Sequence, residues 1–220
     1  VNKKVAIITG ATSWMALATH YKLTEQGWIT VLCSHEEMDV DNPDAVNEYF
    51  DRMIKHYGQI HAVVNIAGKS LNKLFHETTP EEFDKILGVN FRGVVNTTRA
   101  VLPHFMESYE GNIVSIVSKG AYTGFPQKSA YCSAKAATNV FMKVIAQEYG
   151  RWNIRANTIL PGYTKNKRNS KSNPSHTNPS PLGRITYPED VGKAVGFLLS
   201  DEASHVTGSC LDISGGCALH

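Results

Sequence analysis

Residues 1–27 read VNKKVAIITGATSWMALATHYKLTEQG, and the stretch from Val5 to Gln26 decides the fold. Val5 to Thr9 is an apolar run of the kind that forms a strand covered on both faces. Trp14 to Gln26 reads as a helix, which leaves TGATS as the turn between them. In that context a glycine-bearing turn offers the free amides of a helix start to a phosphate. Only Gly10 supplies a glycine there, so the turn is a weak phosphate signal when read alone.

The same alternation continues outward. Strand-like runs recur at 4–9, 28–33, 60–64, 112–117, 153–160 and 210–213, and helix-like stretches at 43–57, 89–108, 133–149 and 188–199 lie between them. This order predicts an α/β fold: one Rossmann-like, doubly wound, three-layer domain spanning residues 1–220, with a mostly parallel sheet. Asn42 is placed to cap a helix whose first position is Pro43. Pro188, Glu189 and Asp190 favour another helix start, followed by an inward stripe of Val191, Val195, Leu198 and Leu199. Gly88, Gly93 and Gly192 weaken their helices but permit close approach of neighbours. The region after the second strand is short, with only SHEEM between Cys33 and Asp39. A parallel crossover takes about a dozen residues, so either a helix and a strand are missing from the protein or residues are missing from the sequence.

The 220 residues carry 22 basic and 20 acidic side chains, a balance that gives no field to attract nucleic acid or an anionic membrane. No apolar run reaches the roughly 20 residues that span a bilayer, and the expectation is a soluble, cytoplasmic protein. The four cysteines form no C-x-x-C and no disulfide framework, and the nine histidines are scattered, so no metal site is expected. Residues 163–181 read as a flexible loop on the substrate side, with Lys165, Lys167, Arg168 and Lys171 available to an acidic or phosphate-bearing partner.

The segment SIVSKGAYTGFPQKSAYCSAK holds the chemistry. Tyr131 and Lys135 are four apart and share a helix face. A lysine charge beside the phenol is expected to lower the Tyr131 pKa and make it a usable acid or base. Ser118 ends a strand-like run, where a doubly wound sheet opens its crevice, and its hydroxyl can hold a carbonyl oxygen. Asn90 is a poor helix filler, and its amide is suited to binding a water that relays protons towards Lys135. Beside this group, Ala121, Tyr122, Gly124 and Phe125 suggest an aromatic and small substrate lining.

With these residues in place, the sequence resembles the classical short-chain dehydrogenase/reductase family, in particular members similar to 3-oxoacyl-carrier-protein reductases. The resemblance runs from Lys4 to about Gly216 and rests on Thr9-Gly10, Asn65 to Gly68, Asn90, Ser118, Tyr131-x-x-x-Lys135, Pro161-Gly162 and the segment GRITYPEDVGKAVGFLLSDEASHVTG. It implies an enzyme interconverting a ketone and a secondary alcohol with a nicotinamide dinucleotide, 3-oxoacyl thioesters being one substrate class. Tyr131 is then the proton donor or acceptor, Ser118 positions the substrate, Lys135 also binds the nicotinamide ribose, and Asn90 supports the relay.

The resemblance also distributes the cofactor contacts. Gly10, Thr12, Ser13, Trp14 and Met15 form the phosphate turn, and Asp39 with Val40 stands at adenine. Asn65, Ala67 and Gly68 hold the adenosine side, and Pro161-Gly162 flanks nicotinamide. A neutral Ser34 followed by His35 favours NADPH over NADH. The family usually assembles as a homodimer or homotetramer, and Phe141, Val144, Ile145 and Tyr149 give the helix after Tyr131 an apolar surface. Its first turn is usually T-G-x-x-x-G-x-G, whereas here Trp14 and Ala16 replace the later glycines, and Ile66 replaces an asparagine. These departures keep a second class open: a catalytically weak or inactive chain acting as a partner or regulatory subunit.

Overall fold

The computed structural model describes residues 3–166 and 180–218. Strand β1 (Val5–Thr9) leads through helix α1 (Trp14–Glu25) to β2 (Ile29–Cys33), then α2 (Pro43–Tyr57) and β3 (Ala62–Asn65). Helix α3 (Pro80–Leu87) runs through a π-helical turn, Gly88–Arg92, into α4 (Gly93–Ser108) and β4 (Gly111–Ile116). The short α5 (Gly120–Thr123) precedes the long α6 (Ser129–Tyr149), followed by β5 (Ile154–Pro161), α7 (Pro188–Leu199) and β6 (Cys210–Ile213).

The six strands form one sheet in the order β2-β1-β3-β4-β5-β6, every pair parallel. Alternate residues of β1 face opposite layers. Val5 and Ile7 pack with Phe50 of α2, Phe105 of α4 and Met142 of α6, while Ala6 and Ile8 pack with Leu23 of α1 and Val195 of α7. This is the expected three-layer, doubly wound arrangement. Helices α1 and α7 meet closely because residue 192 is glycine: a Cβ there would stand 2.7 Å from the Ala18 carbonyl oxygen.

The shortened region has a direct structural consequence. After β2 the chain turns through residues 34–42 straight into α2, which crosses over β1 to reach β3, and β2 is left at the sheet edge. Its residues are accordingly more exposed than those of β1.

The helix expected over 89–108 is found as α4 from Gly93, but residues 89–92 belong to a π-helical turn, and a separate α3 that the sequence reading did not include precedes it. Helix α3 starts at a capping box in which Thr79 and Glu82 bond each other's backbone amides. The turn is packed from outside. The Asp41 carboxylate, held by both Arg92 nitrogens at 2.9 and 3.2 Å, lies where a Cβ on Gly88 would sit. Helix α6 also starts earlier than residue 133, at Ser129. The substrate-side loop foreseen at 163–181, with Lys167, Arg168 and Lys171, lies largely outside the described residues. Its near end is fixed to residue 186, with the Lys165 amide donating to the Thr186 carbonyl at 3.0 Å.

Candidate active site

Parallel strands of one sheet end along a common edge, and the loops leaving β1, β3, β4 and β5 there line a cavity of about 620 Å³. Its wall includes Thr12, Ser13, Trp14 and Met15 from the first turn, Gly68 and Asn90, Ser118, Tyr131 and Lys135, and Pro161 with Gly162. A smaller cavity of about 150 Å³ lies beside it and is lined by Gly10, Ser34, His35, Asp39, Val40, Ala67 and Gly68. Thr12, Gly68 and Lys69 border both, so the two form one groove across the switch point between β1 and β3.

The first turn is built around Gly10. Its φ is +79°, and its amide and that of Ala11 both donate to the Cys33 carbonyl, at 3.0 and 3.1 Å. Ser13 then caps α1, its hydroxyl accepting from the Ala16 amide at 3.1 Å. The amides of Trp14 and Met15 remain the free donors of the first turn, which carries no acidic side chain. Trp14 is half-buried on the wall of the larger cavity, and Ala16 is fully buried among the residues packed behind it. The turn thus keeps its shape without the later glycines.

Tyr131 and Lys135 lie on the first turns of α6, and Ser118 lies just beyond β4. The Ser118 hydroxyl accepts from the Gly120 amide at 3.2 Å and stands near enough to the Tyr131 phenol to pull its pKa down. Lys135 is 5 % exposed; its Nζ donates to the Ile116 carbonyl at 2.8 Å and stands 5.9 Å from the centre of the Tyr131 ring. Burial pulls its pKa down to about 8. The buried ammonium therefore lowers stability below that pH, a cost relieved as pH rises towards the ordinary lysine range. The expected lowering of the Tyr131 pKa by Lys135 does not occur. Burial of the phenol dominates and raises it, and the only lowering influence is the Ser118 hydroxyl.

Asn90 sits in the π-helical turn, not in a regular helix. Its Nδ2 donates to the Lys69 carbonyl at 2.7 Å and the Ile86 carbonyl at 2.9 Å, and its backbone carbonyl accepts from Thr138 at 3.1 Å. Its Oδ1 is buried without a partner among the described residues. Gly68 ties this atom to the lysine, since a Cβ there would lie 2.8 Å from Asn90 Oδ1 and 3.8 Å from Lys135 Nζ.

Two expected positions are corrected. Asn65 lines neither cavity: its Nδ2 donates to Ser115 Oγ at 3.2 Å and its Oδ1 accepts from Thr97 at 2.9 Å, which turns the side chain into the β3–β4–α4 core. Of the substrate lining foreseen at residues 121–125, only Phe125 borders the cavity, because the helical turn of α5 carries Tyr122 away to accept from Asn139 Nδ2 at 2.8 Å. Gly162 is held as expected, its amide donating to Thr186 Oγ1 at 3.1 Å, and a Cβ on it would meet the Ser214 carbonyl at 2.9 Å. Lys69, Lys119, Lys128 and Cys217 also line the cavity. Three of them were within reach of sequence reasoning, since Lys69 follows Gly68, Lys119 follows Ser118, and Lys128 lies one helical turn before Tyr131; Cys217 carries no such signal.

The groove fits a dinucleotide on three counts: the positive-φ glycine against Ala67, the free amides at the start of α1, and two joined cavities. Among the described residues no group of His, Cys, Asp or Glu is placed to hold a metal ion, and no helix is long and apolar enough to cross a membrane.

Residues 17–218 match the family described as "Enoyl-(Acyl carrier protein) reductase". The chain is 31 % identical over 242 positions to a 3-oxoacyl-(acyl-carrier-protein) reductase of Thermotoga maritima, covering 98 % of both chains. It is 32 % identical to a cyclopentanol dehydrogenase of Comamonas testosteroni, covering 98 % of this chain and 97 % of the relative. The solved structure of a 3-ketoacyl-(acyl-carrier-protein) reductase from Brucella melitensis, complexed with NADH, superposes with a TM-score of 0.92 at 27 % identity and 98 % coverage of each chain. The chain belongs to the classical short-chain dehydrogenase/reductase family and is an NAD(P)-dependent oxidoreductase acting on carbonyl and alcohol groups.

Proposed function

We propose that the protein reduces a 3-oxoacyl compound to the corresponding secondary alcohol, with NADPH preferred over NADH. The observation that carries this reading is the meeting of Ser118, Tyr131, Lys135 and Asn90 on one cavity wall at the end of the groove. A dinucleotide, when bound, supplies the hydride that adds to the carbonyl carbon. The Ser118 hydroxyl and the Tyr131 phenol hold the carbonyl oxygen, and the phenol gives it a proton. A tyrosine phenol is protonated at neutral pH at its ordinary pKa of about 10, and burial shifts Tyr131 further in that direction, so the proton that reduction requires is in place. Lys135, buried behind the ring, can return a proton from its ammonium to the phenolate, and the unpartnered Asn90 Oδ1 on the same inner side is an acceptor for a water that restores the proton to the lysine.

The Gly10 turn and the first amides of α1 take the phosphates. Ala67, Asp39 and Val40 flank the adenosine end, and Pro161 with Gly162 borders nicotinamide. Asn65 supports that strand end from within the core. The NADPH preference rests on the neutral Ser34 and on His35 in the smaller cavity. Asp39, which lines the same cavity with its Oδ1 3.6 Å from His35 Nδ1, and Glu37, whose carboxylate accepts from the Ser34 amide at 2.8 Å, are the opposing charges. The 3-oxoacyl reading rests on the substrates in the names of several relatives. The inactive-partner alternative gains nothing from this geometry, because the proton-handling group and the groove are both in place. A homodimer or homotetramer is proposed through α6, whose Val140 and Val144 remain exposed while Ile145 joins the core.

Calorimetric titration tests the cofactor reading. NADPH is expected to bind more tightly than NADH, and Trp14→Gly is expected to tighten binding about tenfold, or roughly 1.4 kcal/mol, by clearing the indole from the phosphate approach. Tighter NADH binding would show that Asp39 and Glu37 outweigh Ser34 in the choice. No gain from Trp14→Gly would show that the groove is built around the indole. No binding of either dinucleotide by a folded sample would remove the enzyme reading.

A further inference from the structure

The larger cavity has an unusual charge pattern. Five lysines line it, Lys69, Lys119, Lys128, Lys135 and Lys165, and no aspartate or glutamate does so among the described residues. None of the five is within 4.0 Å of a carboxylate there. In a cleft with low-dielectric walls, such a one-sided set raises the local concentration of anions.

Four of the five lysines are told apart by what they stand beside. Lys135 is committed to the Ile116 carbonyl. Lys69 borders both cavities, at the junction that the phosphates of a dinucleotide cross. Lys165 lies over the Tyr187 ring at 5.6 Å, away from the phenol that donates the proton. Lys128 is different: its Nζ stands 6.0 Å from the centre of the Tyr131 ring and 5.8 Å from that of Phe125, between two aromatic walls of the substrate side. A flexible four-carbon stem lets that ammonium follow a ligand.

We propose that Lys128 selects a substrate with a carboxylate close to the reacting carbonyl, so that the preferred ketone is a 3-oxo carboxylate in free, anionic form. The inference rests on the ketone-reductase reading and deepens it. With the carbonyl oxygen held at Tyr131 and Ser118, a 3-oxo acid carries its carboxylate carbon two bonds from the carbonyl carbon, and the flexible Lys128 stem, whose ammonium stands 6.0 Å from the centre of the Tyr131 ring, lets the charge meet it. A charge-assisted hydrogen bond there orients the carbonyl as well as binding the anion. A neutral ester or thioester of the same acid forms no ion pair at that position.

The test compares acetoacetate with methyl acetoacetate, which present the same carbonyl with and without the charge. The wild-type protein is expected to show kcat/KM at least tenfold higher for acetoacetate. Lys128→Met is expected to lower the ratio of the two values at least tenfold, and Lys128→Arg to keep most of it. Because the readout is a ratio within one protein sample, partial loss of folded protein leaves it unmoved. Equal kcat/KM for the two compounds in the wild type, or an unchanged ratio in Lys128→Met, overturns the inference and leaves the reductase reading standing. Reduction of neither compound by a dinucleotide-bound sample overturns both.

Discussion

Replacing Tyr131 with phenylalanine is expected to reduce the rate of ketone reduction about 10³-fold, the middle of the range for a positioned acid or base, while dinucleotide affinity changes by less than about twofold. The substitution removes one oxygen and keeps the ring. What is lost is the proton donor, while the Ser118 hydroxyl keeps its bond from the Gly120 amide. The developing alkoxide then has no acid beside it. The phenol is protonated at neutral pH at its ordinary pKa of about 10, and burial moves that pKa up rather than down, so the proton that reduction consumes is in place. Alcohol oxidation needs the phenolate and is expected to speed up as pH rises. Steady-state rates with calorimetric affinities check this, and activity retained within tenfold would move the proton donor to another group.

The second large effect is on the scaffold. Gly10→Ala is expected to destabilise the protein by about 3 kcal/mol, the sum of left-handed backbone strain and steric overlap, and to abolish dinucleotide binding. The φ of +79° already disfavours any side chain. The added Cβ would also stand 2.8 Å from the Ala67 nitrogen and 2.9 Å from its Cα, and backbone cannot swing aside as a side chain can. Gly27 is the internal control. It has a similar φ of +86° with nothing within 4 Å of an added Cβ, so Gly27→Ala measures the strain alone. Denaturant unfolding of both variants should show the larger loss at residue 10. Equal losses would mean that the β1–α1 turn relaxes and that the contact with Ala67 does not hold it.

The fold was legible because local and tertiary preferences agree along most of the chain. The apolar runs at 28–33 and 210–213 became β2 and β6 with at most one residue of difference, and Asn42-Pro43 began α2 as read. The π-helical turn was not legible: the contact that packs it, between residues 41, 88 and 92, spans about fifty residues of sequence and no local pattern records it. The start of α3 was legible in principle: Thr79-Pro80-Glu81-Glu82 is a capping-box signature.

The site divides in the same way. Tyr131 and Lys135 are fixed relative to each other by helical spacing, and Ser118 and Gly162 by their places just past strand ends. Side-chain direction was harder to read. Asn65 could face the groove or the core, and only the positions of Ser115 and Thr97 settle it. The sign of the Tyr131 shift also depended on burial of the phenol, which spacing does not reveal. The missing glycines after Gly10 leave the shape of the turn intact, since Ser13 caps α1 and Gly10 alone makes the close approach to Ala67, and the Trp14→Gly titration tests what the indole does to binding.

The most direct test of the whole account is to incubate the folded protein with NADPH and acetoacetate and to measure cofactor oxidation and alcohol formation in the same sample. The account predicts saturable, ketone-dependent oxidation with one secondary alcohol formed per NADPH consumed, and its loss in Tyr131→Phe. Tight NADPH binding with no ketone-dependent oxidation, or oxidation undiminished in Tyr131→Phe, would contradict it.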